Sequence, residues 1–307
     1  MILSICLSPC IDVNMEVDSL SVGRTNKIIN KRIYYTGKAI NVARGLKRLG
    51  ADVYATGFMY NDNGRLFEQE LHYEQVPYKF VWCEGRVREN YKFVDNKSML
   101  TEVNDLSPEV SEQKRDELLT LVHSLATKSE AVVLSGGLAK GMDASFYGDI
   151  LRQTGENTLK IVDACGDRMF EALKCGADLV KPNLDELQST LGITVNSKED
   201  ALTGCYELLN LGAKRVLLSL GKQGAIITNG SNSYYCKSIN VAMNSTVGAG
   251  DGMVAAAANA LAKGASLQEI LLCGVAGGTA AVTTPDSITF VREKYEEILA
   301  GLTVSKI

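Results

Sequence analysis

Gly248-Ala249-Gly250-Asp251 runs directly into an alanine-rich stretch from Gly252 to Leu261. Two glycines in a turn followed by residues of high helix propensity predict a loop that opens a helix. The first N–H groups of such a helix lack intrahelical partners and its positive dipole end faces the same way, so a phosphoryl group can rest on residues 248 to 251. Asp251 then has two readings. It is a helix-start acid worth about 1 kcal/mol, or a general base beside a phosphate site that takes a proton from an attacking hydroxyl. Spacing alone does not separate them.

Other candidates lie in loops along the chain. Thr36-Gly37-Lys38-Ala39-Ile40-Asn41 opens a second helix, with a cation beside its start. Lys181-Pro182-Asn183-Leu184-Asp185-Glu186 begins a third, where Asn-x-x-Glu taken alone is a cap and a first-turn acid. Ser219-Leu220-Gly221-Lys222-Gln223-Gly224-Ala225 reads by itself as a glycine-punctuated hairpin. Arg88, in Arg86-Val87-Arg88-Glu89-Asn90-Tyr91-Lys92, sits on a basic strand-like segment that taken alone is a solvated strand face. Asp12 stands just past the end of a first strand, where open α/β sheets collect ligands, although a lone Asp there reads by itself as a turn residue.

The elements that must position these residues follow a regular pattern. Ile2 to Leu7 is a buried strand that Pro9 ends, and Val53 to Phe58 is another. Residues 11–35 alternate weakly, as do Val87 to Val94 and Ser98 to Val103, which predicts thin strand pairs outside the core. From residue 109 the chain alternates helix (109–127), strand (131–134), helix (144–153), strand (159–162), helix (168–174) and strand (178–180). That rhythm predicts a parallel sheet with right-handed crossovers. Strands follow at 215–219, 226–228 and 233–237, and a charged helix at 291–300.

Composition narrows the function classes. A chain of 307 residues that is 46% apolar buries a large core. A formal charge of −4 argues against nucleic acid or an anionic membrane as partner. Eight scattered cysteines show no metal or disulfide spacing and fit a reduced cytoplasm. No basic leader precedes the apolar start, and no apolar run is long enough to span a bilayer. There is no Gly-x-x-x-x-Gly-Lys-Ser/Thr, which removes a P-loop enzyme, and His72 and His123 are isolated.

Ser245-Thr246-Val247-Gly248-Ala249-Gly250-Asp251 before Gly252-Met253 resembles the second signature of the ribokinase-like, or PfkB, carbohydrate kinases, in the form found in 1-phosphofructokinases and tagatose-6-phosphate kinases. Gly37-Lys38-x-x-Asn41-Val42 resembles the first signature, with Thr36 and Ala39 at positions the family gives to glycine. Arg88 matches the family's Thr-Arg-x-Asn-x-Lys, and Thr101-Glu102-Val103-Asn104 its Thr-Glu-x-Asn. Ser135-Gly136-Gly137-Leu138-Ala139-Lys140-Gly141 matches a Ser-Gly-Ser-Leu-Pro-x-Gly loop, with Gly137 and Ala139 replacing Ser and Pro. Thr283-Thr284-Pro285-Asp286-Ser287 stands where the family has a Thr-Glu-Gly-Thr-like run, so adenine contacts are not assigned.

The resemblance implies a single 1–307 domain with the three-layer α/β/α ribokinase-like fold, a mainly parallel central sheet, and a small β-sheet lid from about 11–35 and 87–103. It implies ATP and Mg²⁺, a sugar-phosphate substrate, a cytoplasmic location and a homodimer paired through the lid. Carried over by residue, Asp251 is the base and Gly248, Ala249 and Gly250 form the anion hole. Asp12, Gly37, Lys38, Asn41 and Arg88 bind the sugar; Lys181, Asn183, Ser219, Gly221 and Gly224 bind the nucleotide; Asn183 and Glu186 hold Mg²⁺ through water. Two cations, Lys38 and Arg88, would be left unpaired by a neutral sugar. The expected reaction is therefore fructose 1-phosphate to fructose 1,6-bisphosphate. The alternatives are a tagatose-6-phosphate kinase and, given Thr36, Ala39 and Gly137, a catalytically impaired sugar-phosphate-binding protein of the same fold.

Overall fold

The structure, a computed structural model, describes residues 1–97, 99–242, 244, 247–284 and 289–307. Ser98, Ser245, Thr246, Pro285, Asp286 and Ser287, which enter the motif assignments above, lie outside the described residues. The chain runs β1 (Ile2–Cys6), β2 (Cys10–Val17), β3 (Ile28–Thr36), α1 (Lys38–Arg48), β4 (Val53–Tyr60), α2 (Arg65–Tyr73), β5 (Tyr78–Cys83), β6 (Arg88–Val94), β7 (Leu100–Asn104), α3 (Glu112–Ala126) and β8 (Ala131–Ser135). It continues as α4 (Ser145–Arg152), β9 (Leu159–Asp163), α5 (Asp167–Lys174), β10 (Leu179–Val180), α6 (Leu184–Leu191), α7 (Lys198–Asn210), β11 (Val216–Ser219), β12 (Ala225–Thr228), β13 (Ser233–Cys236), α8 (Ala249–Ala262), α9 (Leu267–Thr283), α10 (Arg292–Gly301) and β14 (Val304–Lys306).

The large sheet has the order β14-β13-β12-β11-β10-β9-β8-β1-β4-β5. From β5 to β11 its neighbours are parallel, and β11 to β14 are antiparallel. β1 and β8 are buried at every position, as an apolar strand covered on both faces must be. Helices α1, α8, α9 and α10 pack on one another, while α3 packs on α4 and α4 on α5. The alanines and glycines of α8 and α9 allow a very close crossing: a Cβ added to Gly252 would stand 2.7 Å from the Gly277 carbonyl oxygen. No helix among the described residues is long and apolar enough to cross a membrane.

A separate four-stranded sheet, β3-β2-β6-β7, combines the two thin strand pairs. Two strands carried no periodic signal and were not expected: β5, an apolar edge strand, and the three-residue β14. Asp12 also differs from expectation. The chain re-enters a strand at Cys10, immediately after Pro9, so Asp12 is the third residue of β2, opposite Tyr34 and Asn90, and not in an open turn.

Candidate active site

The first turn of α8 is capped by Gly248 in the left-handed conformation (φ 82°), with no side-chain cap. Its first helical bond runs from the Gly252 N–H to the Gly248 carbonyl at 2.9 Å, so the N–H groups of Ala249, Gly250 and Asp251 precede that ladder. Asp251 is buried, and Asn41 Nδ2 donates to its Oδ2 at 2.8 Å. That contact follows from helix packing. Gly45 and Ala255 lie one turn beyond Asn41 and Asp251, and a Cβ on Gly45 would sit 2.7 Å from the Ala255 Cβ. The close crossing of α1 and α8 sets their first turns side by side. Burial pushes the Asp251 carboxyl up to about 6, helped by the nearby charge of Asp163, while Asn41, Lys38 and Lys181 pull the other way.

Asp163, the last residue of β9, was missed by sequence reasoning. It is fully buried; Ser135 Oγ donates to its Oδ2 at 2.8 Å, Lys38 Nζ lies 3.2 Å from Oδ2 and Lys181 Nζ 3.1 Å from Oδ1. Burial alone would raise this carboxyl, but the two ammonium groups and the serine hydroxyl hold it at about 2. The available signal was an acid at the C-terminal end of a parallel strand, one residue past the predicted strand end. Lys38 also lies 3.5 Å from Glu186 Oε1, and its ammonium is held above its usual range because Asp163, Glu186 and Asp251 outweigh the effect of burial. Lys38 therefore makes its ion pairs with Asp163 and Glu186, whereas Arg88 has other partners.

Asn183 and Glu186 form a capping box on α6: Glu186 N–H donates to Asn183 Oδ1 at 2.8 Å and Asn183 N–H to Glu186 Oε2 at 2.9 Å. Glu186 Oε1 is left facing Lys38. Among the described residues no group of three His, Cys, Asp or Glu side chains could ligate an ion directly. An amide and a single carboxylate suit Mg²⁺, which keeps several of its own waters, better than they suit an ion needing an all-protein cage.

A cleft of about 600 Å³ opens against this corner. Lys181, Asn183, Ser219, Gly221 and Gly224 all line it, together with Ala249 and Gly250 of the helix start. The volume is that of a small-molecule site. Its apolar walls were not found from sequence: Ile239 and Val241 come from an irregular segment, and Met253, Val275 and Val282 from α8 and α9. Gly278 and Thr279 contribute to the same wall.

The third part of the site lies where the small sheet meets the end of β1. Asp12 is buried and accepts from Asn90 Nδ2 at 2.9 Å and Lys92 Nζ at 2.8 Å. Arg88 Nη1 donates to Asn90 Oδ1 at 2.6 Å and its Nε to Ser8 Oγ at 3.2 Å. Gly37 caps α1 and so sets the direction of Lys38. Asn90 and Lys92 thus join the constellation, since they alternate with Arg88 along one face of β6.

A model of the pfkB family carbohydrate kinases matches residues 1–294. The 1-phosphofructokinase of Haemophilus influenzae is 29% identical over 288 residues, covering 92% of this chain and 91% of that protein. The tagatose-6-phosphate kinase of Staphylococcus epidermidis is 26% identical over 312 residues and is covered in full, as is this chain. Phosphofructokinase-2 of Escherichia coli, solved with fructose-6-phosphate and in a tetrameric inhibited form, superposes with a TM-score of 0.88 at 27% identity over 98% of both chains.

Proposed function

This chain belongs to the pfkB family of carbohydrate kinases, and we propose on that premise that it transfers the γ-phosphoryl group of ATP to a ketohexose phosphate, with fructose 1-phosphate as the first candidate. The observation that carries the reading is the placement of Asp251: a buried carboxylate in the first turn of α8, beside helix N–H groups that open on the nucleotide-sized cleft. Its raised pKa, about 6, leaves it ionised yet basic enough at neutral pH to take a proton from the acceptor hydroxyl. Oδ2 is held by Asn41, and Oδ1 would be the oxygen that meets the acceptor hydroxyl.

The N–H groups of Ala249, Gly250 and Asp251 would stabilise charge on the transferring phosphoryl oxygens, at no reorganisation cost. Lys38 and Lys181, anchored on Asp163, bring two ammonium groups to the same corner. Asn183 and Glu186 would hold Mg²⁺ through water, supplying charge neutralisation of the ATP phosphates. Asp12, aligned by Asn90 and Lys92, would bind sugar hydroxyls, and Arg88 the phosphate already on the sugar. The small sheet would close over the sugar as a lid. Ile28, Ile29 and Ile33 on β3 and Leu100 and Val103 on β7 are exposed, which fits pairing of this sheet with a second copy of the chain.

Tagatose 6-phosphate is the second candidate, supported by the full-length similarity to the staphylococcal kinase. A coupled ADP-release assay with Mg²⁺-ATP against fructose 1-phosphate, tagatose 6-phosphate, fructose 6-phosphate and fructose tests the reading. Turnover is expected for phosphorylated ketoses, fastest for fructose 1-phosphate. Binding without turnover on all four would replace it with a sugar-phosphate-binding protein.

A further inference from the structure

Arg168, in the first turn of α5, is a half-buried cation with no place in the transfer centre. Its Nη1 donates to the Gly136 carbonyl at 2.7 Å and its Nη2 lies 3.4 Å from Cys165 Sγ. Those contacts use only part of the guanidinium's five donors. Arg88 approaches the same place from the small sheet, through Ser8. Gly137 lies beside both Arg168 and Ser8: a Cβ added there would stand 3.8 Å from Arg168 Nη1 and 3.9 Å from Ser8 Cβ. Among the described residues, the hydrogen-bonding partners of Arg88 and Arg168 are hydroxyl, amide, carbonyl and thiol groups; neither guanidinium has a carboxylate partner.

Two half-buried guanidinium groups gathered around Ser8 and the Gly136–Gly137 backbone, without a carboxylate partner, form a costly arrangement that an anion relieves. Lys38 does not serve here, because Asp163 and Glu186 hold its ammonium. Gly137 brings no side chain to the space beside Arg168 Nη1 and Ser8, the residue that holds Arg88 Nε. We propose that Arg168 and Arg88 together grip the phosphate the sugar already carries, and that Arg168 is a specificity-determining residue of this chain. The assignment rests on the sugar-phosphate kinase reading for the identity of the anion; the geometry itself calls for a phosphate-like oxyanion, which a planar fork binds in bidentate fashion.

The decisive variant is Arg168→Gln, which keeps a donor for the Gly136 carbonyl but loses the charge and the fork, with Arg168→Lys as the conservative partner. In the ADP-release assay, Arg168→Gln is expected to raise KM for the sugar phosphate about 10- to 100-fold while KM for ATP stays within about threefold. The preference for the phosphorylated ketose over fructose should fall by the same factor, and Arg168→Lys should recover part of it. A sugar-phosphate KM equal to wild type in Arg168→Gln overturns the proposal. If wild type turns over no sugar phosphate, the kinase reading fails and inorganic phosphate becomes the probe. A rise in thermal midpoint with phosphate in wild type, absent in Arg168→Gln, supports the anion site, and an equal response in both overturns it.

Discussion

The end of β9 and the first turn of α8 each bury one aspartate, yet Asp163 is held at about 2 and Asp251 at about 6. Burial acts on both in the same direction. What differs is company: Asp163 has two ammonium groups within 3.2 Å and a serine hydroxyl, whereas Asp251 has one neutral amide, the same two lysines only at longer range, and the repulsion of Asp163. Environment therefore divides the labour between two identical side chains. The one saturated with cations is a fixed anchor for Lys38 and Lys181, and the one left short of cations keeps the basicity that the proposed proton abstraction would need.

The strongest way to break this comparison is Asp251→Asn. It should reduce kcat by about 10³-fold or more, roughly 4 kcal/mol of barrier, while sugar-phosphate binding by calorimetry is largely kept. Undiminished turnover would take Asp251 out of the mechanism.

Asp163→Asn should act on stability first. It strands two lysines that share one buried counter-ion, and about 3 kcal/mol is the expected loss in denaturant unfolding at neutral pH. The sign of the pH dependence follows from the depressed carboxyl. Its contribution is complete above the ordinary carboxylate range and disappears as pH falls toward about 2, so the gap between wild type and variant should close on acidification. A gap that stays constant from pH 7 to pH 3 would mean that the ion pairs are not its source. Asp251 works the opposite way: its raised pKa favours the neutral form, so its contribution to stability falls as pH rises from the ordinary carboxylate range through about 6, the same ionisation that the proposed base requires.

The smallest effect is the most specific. Wild-type kcat/KM should fall as pH drops through about 6, and Asn41→Leu should move that limb upward by about one unit, because the amide donates to the ionised carboxylate. A limb at the wild-type position in Asn41→Leu would show that Asn41 does not tune the base.

Much of this was legible in the residues themselves. The βα rhythm from 109 to 180, the glycine-led start of α8 and the Asn183–Glu186 pair are local patterns, governed by periodicity, capping and backbone freedom within a few residues. The five nucleotide-side residues drawn from motifs all line one cleft. Asp163 escaped because a lone acid at a strand end has no pattern of its own. Arg168 escaped because its meaning depends on Gly136, Gly137 and Ser8. The cleft's apolar walls escaped because small and aliphatic residues in α9 look the same whether they face a core or a ligand.

The sequence by itself determined which residue types stand at the ends of which elements, and hence that a glycine-led helix start with free N–H groups carries an acid. It could not say that Asn41 would meet Asp251 across 210 residues, or that Lys38 would pair with Glu186 across 148. Those contacts were decided by the packing of α1 on α8 and the order of the parallel strands. The charge state of a buried carboxylate depends on groups within a few ångströms of it, and only the tertiary fold chooses those neighbours.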